Sequence, residues 1–239
     1  MLTLVLALLA RIAGTLTTGG AIAGFVVGMC VSAGFGLAGL AVLGTFFVAG
    51  SLATRIGWKT KKARGTAEAG EGRRDAKRVL GKGGVAAAVA LVTTLRPGLL
   101  GPSPEIVFAG SVAAALADTL GTEIGLLWTG RVIRLPAFAL VAAGTPGGLS
   151  WLGTAASAFG AALVGAVATG SGLVLVSDDP AKAALQSAMT MLGITTAGFA
   201  GALLESLAVG CGLRAPGFVR NVLTTLAGAA IGRGTWVVR

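Results

Sequence analysis

Apolar stretches of bilayer-crossing length follow one another along the chain, separated by short polar breaks. Several runs of about 17–25 residues lack charge, the length a helix needs to cross the hydrocarbon core. The pattern predicts helices over residues 2–14, 18–33, 36–54, 83–96, 105–127, 148–170, 183–208 and 218–232. Arg11 interrupts the first, and 83–96 is short for a full crossing. The expected fold class is all-α: a polytopic integral membrane helical bundle of about 6–8 membrane helices with a basic cytoplasmic loop. That loop is residues 55–82, and residues 1–239 are read as a single integral membrane domain. Residues 1–10 are apolar but have no basic region ahead of them, so signal-peptide cleavage is not expected.

Composition agrees. The chain is 54% hydrophobic and 12% charged, against about 25% charged in soluble domains. Its mean hydropathy is +0.87. One soluble core of this size could not hide so much apolar surface. The 40 glycines include Gly19, Gly20, Gly24 and Gly28, then Gly34, Gly36 and Gly39, and later Gly160, Gly165, Gly198 and Gly201. Small residues at such spacings let membrane helices approach closely. A coding bias toward small residues accounts for the same excess.

Charge sets the orientation. The net charge is +10, and it is explained by topology and anionic headgroups rather than by nucleic acid. Residues 55–82 hold ten basic and three acidic residues, a net of +7, which places the loop in the cytoplasm. Alternation then puts Arg131 and Arg134 inside, Asp178 and Asp179 outside, and Arg214 and Arg220 inside. Fourteen basic residues fall inside and four outside, with Arg11 unassigned. Trp58, Trp128, Trp151 and Trp236 all lie at predicted helix ends, where indoles favour the headgroup level. The expected location is the plasma (inner) membrane, with the polar face toward the cytoplasm.

Few residues can carry chemistry. There is no His and no Tyr, which removes the commonest general base and any His-ligated metal. Cys30 and Cys211 stand alone and read as inert buried thiols. Asp118 and Glu123 in Ala117-Asp118-Thr119-Leu120-Gly121-Thr122-Glu123-Ile124-Gly125, with Glu205, are acids near one membrane face, where such residues tend to be functional. Asp118 and Glu123 are five apart, about 140° around a helix, so they do not share a face. They read either as oxygen ligands for Mg²⁺ together with substrate phosphates, or as helix-end carboxylates paired with loop arginines. Gly144-Thr145-Pro146-Gly147-Gly148-Leu149-Ser150 leads into a helix N-terminus, a setting suited to phosphate. Basic residues from Arg73 to Lys82 could grip phosphate, and Gly83-Gly84 at the predicted helix start offers a second anion site. Asn221 reads as a helix cap or a ligand contact.

Taken in order, these motifs resemble the membrane family known as domain of unknown function 92, which includes the transmembrane protein 19 group and the plant phytyl-phosphate kinases. The resemblance rests on residues 72–84, 117–125, 144–153 and 201–206 followed by Asn221. The chain departs from the family pattern at Arg78 and Lys82, where the family has Gln and Asn, and at Glu205, where it has Asp. The resemblance implies a membrane-embedded, nucleotide-dependent kinase, CTP being the expected donor, that converts an isoprenoid monophosphate to the diphosphate. On that reading Asp118 and Glu123 hold Mg²⁺, with Glu205 completing the catalytic acids. Arg73, Arg74, Lys77, Lys82, Gly83 and Gly84 meet phosphates, as do Thr145, Gly147, Gly148, Ser150 and Asn221. Expected partners are the isoprenoid phosphate, membrane lipids and a second copy of the chain, with no nucleic acid. The alternative is a transporter or carrier of a lipid phosphate or small anion, since intramembrane acids and Gly-broken helices also suit transport.

Overall fold

The computed structural model describes residues 1–67, 70–174 and 177–234. Trp236, placed at a helix end from the sequence, lies outside the described residues, as do Glu68 and Arg239. The described chain is built of α1 (Leu2–Ile12), α2 (Thr18–Arg55), α3 (Trp58–Ala63), α4 (Ala76–Leu95), α5 (Pro104–Gly125), α6 (Trp151–Gly170), α7 (Pro180–Gly210) and α8 (Gly217–Gly234). Helices α2, α4, α5, α6 and α7 are each long and apolar enough to cross a membrane.

Helix α2 makes two of these crossings. Gly36, at φ 58° and ψ −147°, breaks it, and the two halves fold back on each other. Residues 31 and 39 of a straight helix would stand about 12 Å apart, yet a Cβ on Gly39 would lie 3.1 Å from Val31 Cγ1. At the far end of the hairpin both Gly20 and Gly50 abut Arg74. Each half runs about 27 Å, close to the hydrocarbon thickness. The separate helices expected at 18–33 and 36–54 are these two halves. By contrast α1, with 11 residues, is about 16 Å long and reaches only partway through a bilayer.

Helix α5 is the central post. Its stretch from Ile106 to Ala117 is buried throughout, and it touches α2, α4, α6, α7 and α8. Glycine makes these approaches possible. A Cβ on Gly110 would stand 2.5 Å from the Gly228 carbonyl oxygen of α8, and one on Gly198 the same distance from Ala113 Cβ.

Three features differ from the sequence reading. Helix α4 begins seven residues earlier than expected, capped by Asp75, whose Oδ1 accepts from Arg78 N–H at 2.9 Å. Lys77, Arg78 and Lys82 lie in its first two turns and masked it in a hydropathy pattern. Gly83 and Gly84 therefore sit inside a helix, not at its start, and offer no free N-terminal amides. Second, the loop between α5 and α6 holds a small antiparallel sheet of β1 (Val132–Arg134), β2 (Ala139–Val141) and β3 (Gly148–Leu149), in the order β2-β1-β3. Third, Cys211 is exposed and Cys30 half-buried, because Cys211 follows the last turn of α7 at a loop. Trp58, Trp128 and Trp151 do stand at helix ends, Trp151 being 80% exposed.

The break at Gly36 and the α4–α5 and α6–α7 connections occupy one end of the bundle. The α3 segment, the sheet and the α7–α8 turn occupy the other. A basic segment and all three candidate acids thus share one end, as the charge alternation requires.

Candidate functional site

That end forms the polar part of an open cavity of about 840 Å³. Arg78 and Lys82 are four apart on α4 and so project from one helical face, with Arg74 just ahead of the helix cap. Asp118 comes from α5, Glu205 from α7, and Arg220 and Asn221 from α8. All seven line the cavity.

Backbone geometry pins Arg74 in place. Its N–H donates to Thr15 O at 2.9 Å and its carbonyl accepts from Thr17 N–H at 3.1 Å. Its guanidinium lies over Phe46 and Phe47, at 5.3 and 5.9 Å from the ring centroids, where the ring faces attract a cation. The charge thus lies against the second half of the α2 hairpin.

The two acids of α5 take different roles, as their angular separation demands. Asp118 faces α4 and pairs with Lys82. Glu123 is 6% exposed and faces α3, where Lys61, 1% exposed, donates to its Oε2 at 2.6 Å. Thr54 Oγ1 donates to Glu123 Oε1 at 3.3 Å. Lys61 also donates to the Ala53 and Thr54 carbonyls, at 3.1 and 2.9 Å. Three ammonium hydrogens thus meet three acceptors, and the last-turn carbonyls of α2 are capped by a cation, as the helix dipole favours. Glu205 accepts from Arg220 at 2.9 Å, and the charges of Asp118 and Lys82 also act on it. Among the described residues the Nε of Arg220 is buried without a partner.

The other predicted residues divide. Thr145, Gly147, Gly148, Ser150 and Gly83 line the cavity; Arg73, Lys77 and Gly84 do not. Arg73 and Lys77 are exposed. Gly83 admits α2, since a Cβ there would stand 3.1 Å from Val27 Cγ1. Gly147 has φ 75° and passes so close to α7 that a Cβ would lie 2.9 Å from Gly210 N. The Gly148 amide is spent on Thr145 O at 2.9 Å. Ser150 caps α6, its Oγ accepting from Gly153 N–H at 3.0 Å. Asn221 lies in the second turn of α8, past any capping position, and its amide faces Gly81 and the cavity.

Ser150→Ala should therefore cost about 1 kcal/mol of stability, the usual worth of an N-cap. A lowered thermal midpoint in detergent checks this, and an unchanged midpoint would count against the cap.

Sequence reasoning passed over Lys61 and Arg220. Lys61 is one of ten basic residues in residues 55–82, and only burial distinguishes it. Its position seven residues past Thr54, within reach of the end of a long apolar helix, was the available signal.

Donor chemistry bears on a divalent metal. No group of three or more Asp, Glu, Cys or His able to hold one occurs among the described residues. Glu123 also lines the cavity but is held by the buried Lys61, whereas Asp118 and Glu205, paired with Lys82 and Arg220, are more open to it. Two carboxylates fit Mg²⁺, which is held by one or two carboxylates with phosphate oxygens and water.

A model of the family described as integral membrane protein DUF92 matches residues 1–218. The chain is 29% identical over 143 residues to Protein VTE6, chloroplastic, of Arabidopsis thaliana, covering 59% of this chain and 43% of that protein. It is 34% identical over 158 residues to an uncharacterized membrane protein of Synechocystis sp., covering 64% and 58%. To an uncharacterized membrane protein of Methanocaldococcus jannaschii it is 31% identical over 163 residues, covering 67% and 65%. The matched stretches thus span 43% to 65% of these relatives' own length. No solved structure matches the chain.

Proposed function

This chain belongs to the DUF92 family of integral membrane proteins, and from that premise we propose that it is a kinase acting on a lipid-tailed phosphate at the membrane surface. The acceptor is an isoprenoid monophosphate, the product its diphosphate, and the donor a nucleoside triphosphate, CTP by resemblance to the plant phytyl-phosphate kinases. The polar end faces the cytoplasm, in keeping with the basic residues gathered there.

One observation carries this reading: a single cavity joins apolar walls on α1 and α2 to a cationic, carboxylate-bearing end. Its lining holds Arg74, Arg78, Lys82 and Arg220. Asp118, Glu205 and Glu123 line it as well, Glu123 being held by Lys61. Such a gathering of cations suits a phosphate monoester, which carries about −1.5 to −2 at neutral pH.

The chemistry asks little more of the protein. The attacking atom is an oxygen of a phosphate already anionic, so no side chain need remove a proton, and the lack of His and Tyr is no obstacle. What remains is positioning and charge neutralisation. Arg74, clamped by backbone and aromatic rings, fixes the acceptor phosphate. Arg220 holds Glu205 in place. A phosphate entering the cavity competes for Lys82 and so releases an oxygen of Asp118. Asp118 and Glu205 would hold Mg²⁺, which when bound neutralises charge on the transferring group.

The test is direct. Protein purified in detergent is incubated with prenyl monophosphates, Mg²⁺ and γ-labelled CTP or ATP. Label should appear in a prenyl diphosphate, and chelation of Mg²⁺ should stop it. No transfer at any tail length, with no nucleotide binding, would sink the proposal. Flux of a lipid phosphate in proteoliposomes without nucleotide turnover would point to a carrier instead.

A further inference from the structure

The apolar half of the cavity has a shape that the polar half does not explain. On the second half of α2 its wall includes Leu40, Leu43, Gly44, Phe47 and Val48, beside Phe46. The spacing i, i+3, i+4, i+7, i+8 is one continuous stripe of a helix. The opposing wall is α1, through Leu6 and Leu9 among others. Those two leucines are about half exposed, and Val48 is 57% exposed, although all three line the cavity. They form the lips of an opening at membrane depth. Helix α1 packs chiefly on α2 and is too short to seal a full crossing, so the opening faces acyl chains rather than water.

Within the stripe Gly44 stands apart. It lines the cavity, and a Cβ built there meets nothing within 4 Å. Many other glycines of the bundle are small because a neighbouring helix is close; this one borders empty space. It lies six residues from Gly50, which abuts Arg74, so it is about 9 Å along the helix from the level of the guanidinium.

Resting on the kinase reading for its phosphate, we propose that the single lipid tail of the substrate enters sideways between α1 and α2 and passes over Gly44. The residue at position 44 then sets the longest tail the cavity accepts. Tails that stop short of it do not sense its side chain, and longer ones must run past it toward Leu40.

The experiment is a graded series, Gly44→Ala, Gly44→Leu and Gly44→Phe. Each of these residues favours a helix more than Gly does, and the Cβ site is open, so folding should survive; a monodisperse elution profile checks it. Transfer is measured with dimethylallyl, geranyl, farnesyl and geranylgeranyl monophosphates. As side-chain size grows, the longest accepted tail should shorten stepwise. With Gly44→Phe, kcat/KM for the geranylgeranyl substrate should fall by about tenfold or more, while the dimethylallyl substrate is unaffected. Equal losses at every tail length, or no loss at any, would overturn the inference and leave the kinase reading standing. A second readout needs no turnover: binding of the tail series as non-transferable prenyl phosphonates. A wild-type chain that transfers no phosphate but loses only long-tailed binding on Gly44→Phe would contradict the kinase and uphold the tail path. Long-tailed binding undisturbed by Gly44→Phe would contradict the tail path.

Discussion

Lys61→Met is expected to destabilise the folded chain by about 3–5 kcal/mol, a fall of roughly 10 °C in the thermal midpoint for a chain of this size. The ammonium group is 1% exposed and satisfies Glu123 together with two carbonyls at the end of α2. Met fills similar volume, so the loss is chiefly electrostatic. It strands a buried carboxylate and uncaps the last turn of α2 against its dipole. Breaking one side of such a pair costs far more than removing both, because the partner charge stays buried. The double variant Lys61→Met, Glu123→Leu should therefore recover much of the midpoint, short of the share due to the uncapped carbonyls. Thermal unfolding of the parent, both single variants and the double variant in one detergent checks this. A single variant as stable as the parent, or a double variant at the sum of its singles, would show that the pair does not hold α3 to α5.

Asp118→Asn is expected to act on the reaction instead, lowering phosphate transfer by about 10²- to 10³-fold, the scale seen when one electrostatic group of a reaction site is removed. Asp118 faces the cavity and Lys82, and on the proposed reading it is exchanged from Lys82 to Mg²⁺ when phosphates enter. The amide keeps the shape but cannot supply the charge. The loss should fall on kcat, with a raised Mg²⁺ requirement, while the thermal midpoint changes much less than in Lys61→Met. Two carboxylates on one helix, five residues apart, would then separate cleanly into one that reacts and one that holds. Full transfer by Asp118→Asn would remove the carboxylate from the mechanism.

Much of this division was legible in the sequence. The 140° between Asp118 and Glu123 required them to face different neighbours, and they face α4 and α3. The charge alternation required one end to collect the acids, the basic segment and the loop before α6, and the fold does so. The glycines around position 36 carry the break that makes α2 a hairpin. Other parts were hidden for physical reasons. Hydropathy reads polar residues as the end of a helix, so three cations in the opening turns of α4 concealed its start. Strands of two or three residues in a Gly- and Pro-rich loop leave no period to detect, so the sheet was invisible. Lys61 and Lys62 are adjacent and chemically identical, yet only Lys61 turns inward, and that follows from where α3 docks. The helix cap made by Ser150 and the turn closed by the Gly148 amide were hidden too, since a tight loop into a helix must first satisfy its own backbone.

The most direct test of a lipid phosphate held between an apolar path and a cationic end is a structure of the chain in lipid nanodiscs with a geranylgeranyl phosphonate bound. The phosphonate should lie among Arg74, Lys82 and Arg220, with its tail running between α1 and α2 across Gly44. A phosphonate seated at the opposite end of the bundle, near Arg96 or Lys182, or a tail lying only on the outer surface with the cavity unfilled, would contradict it.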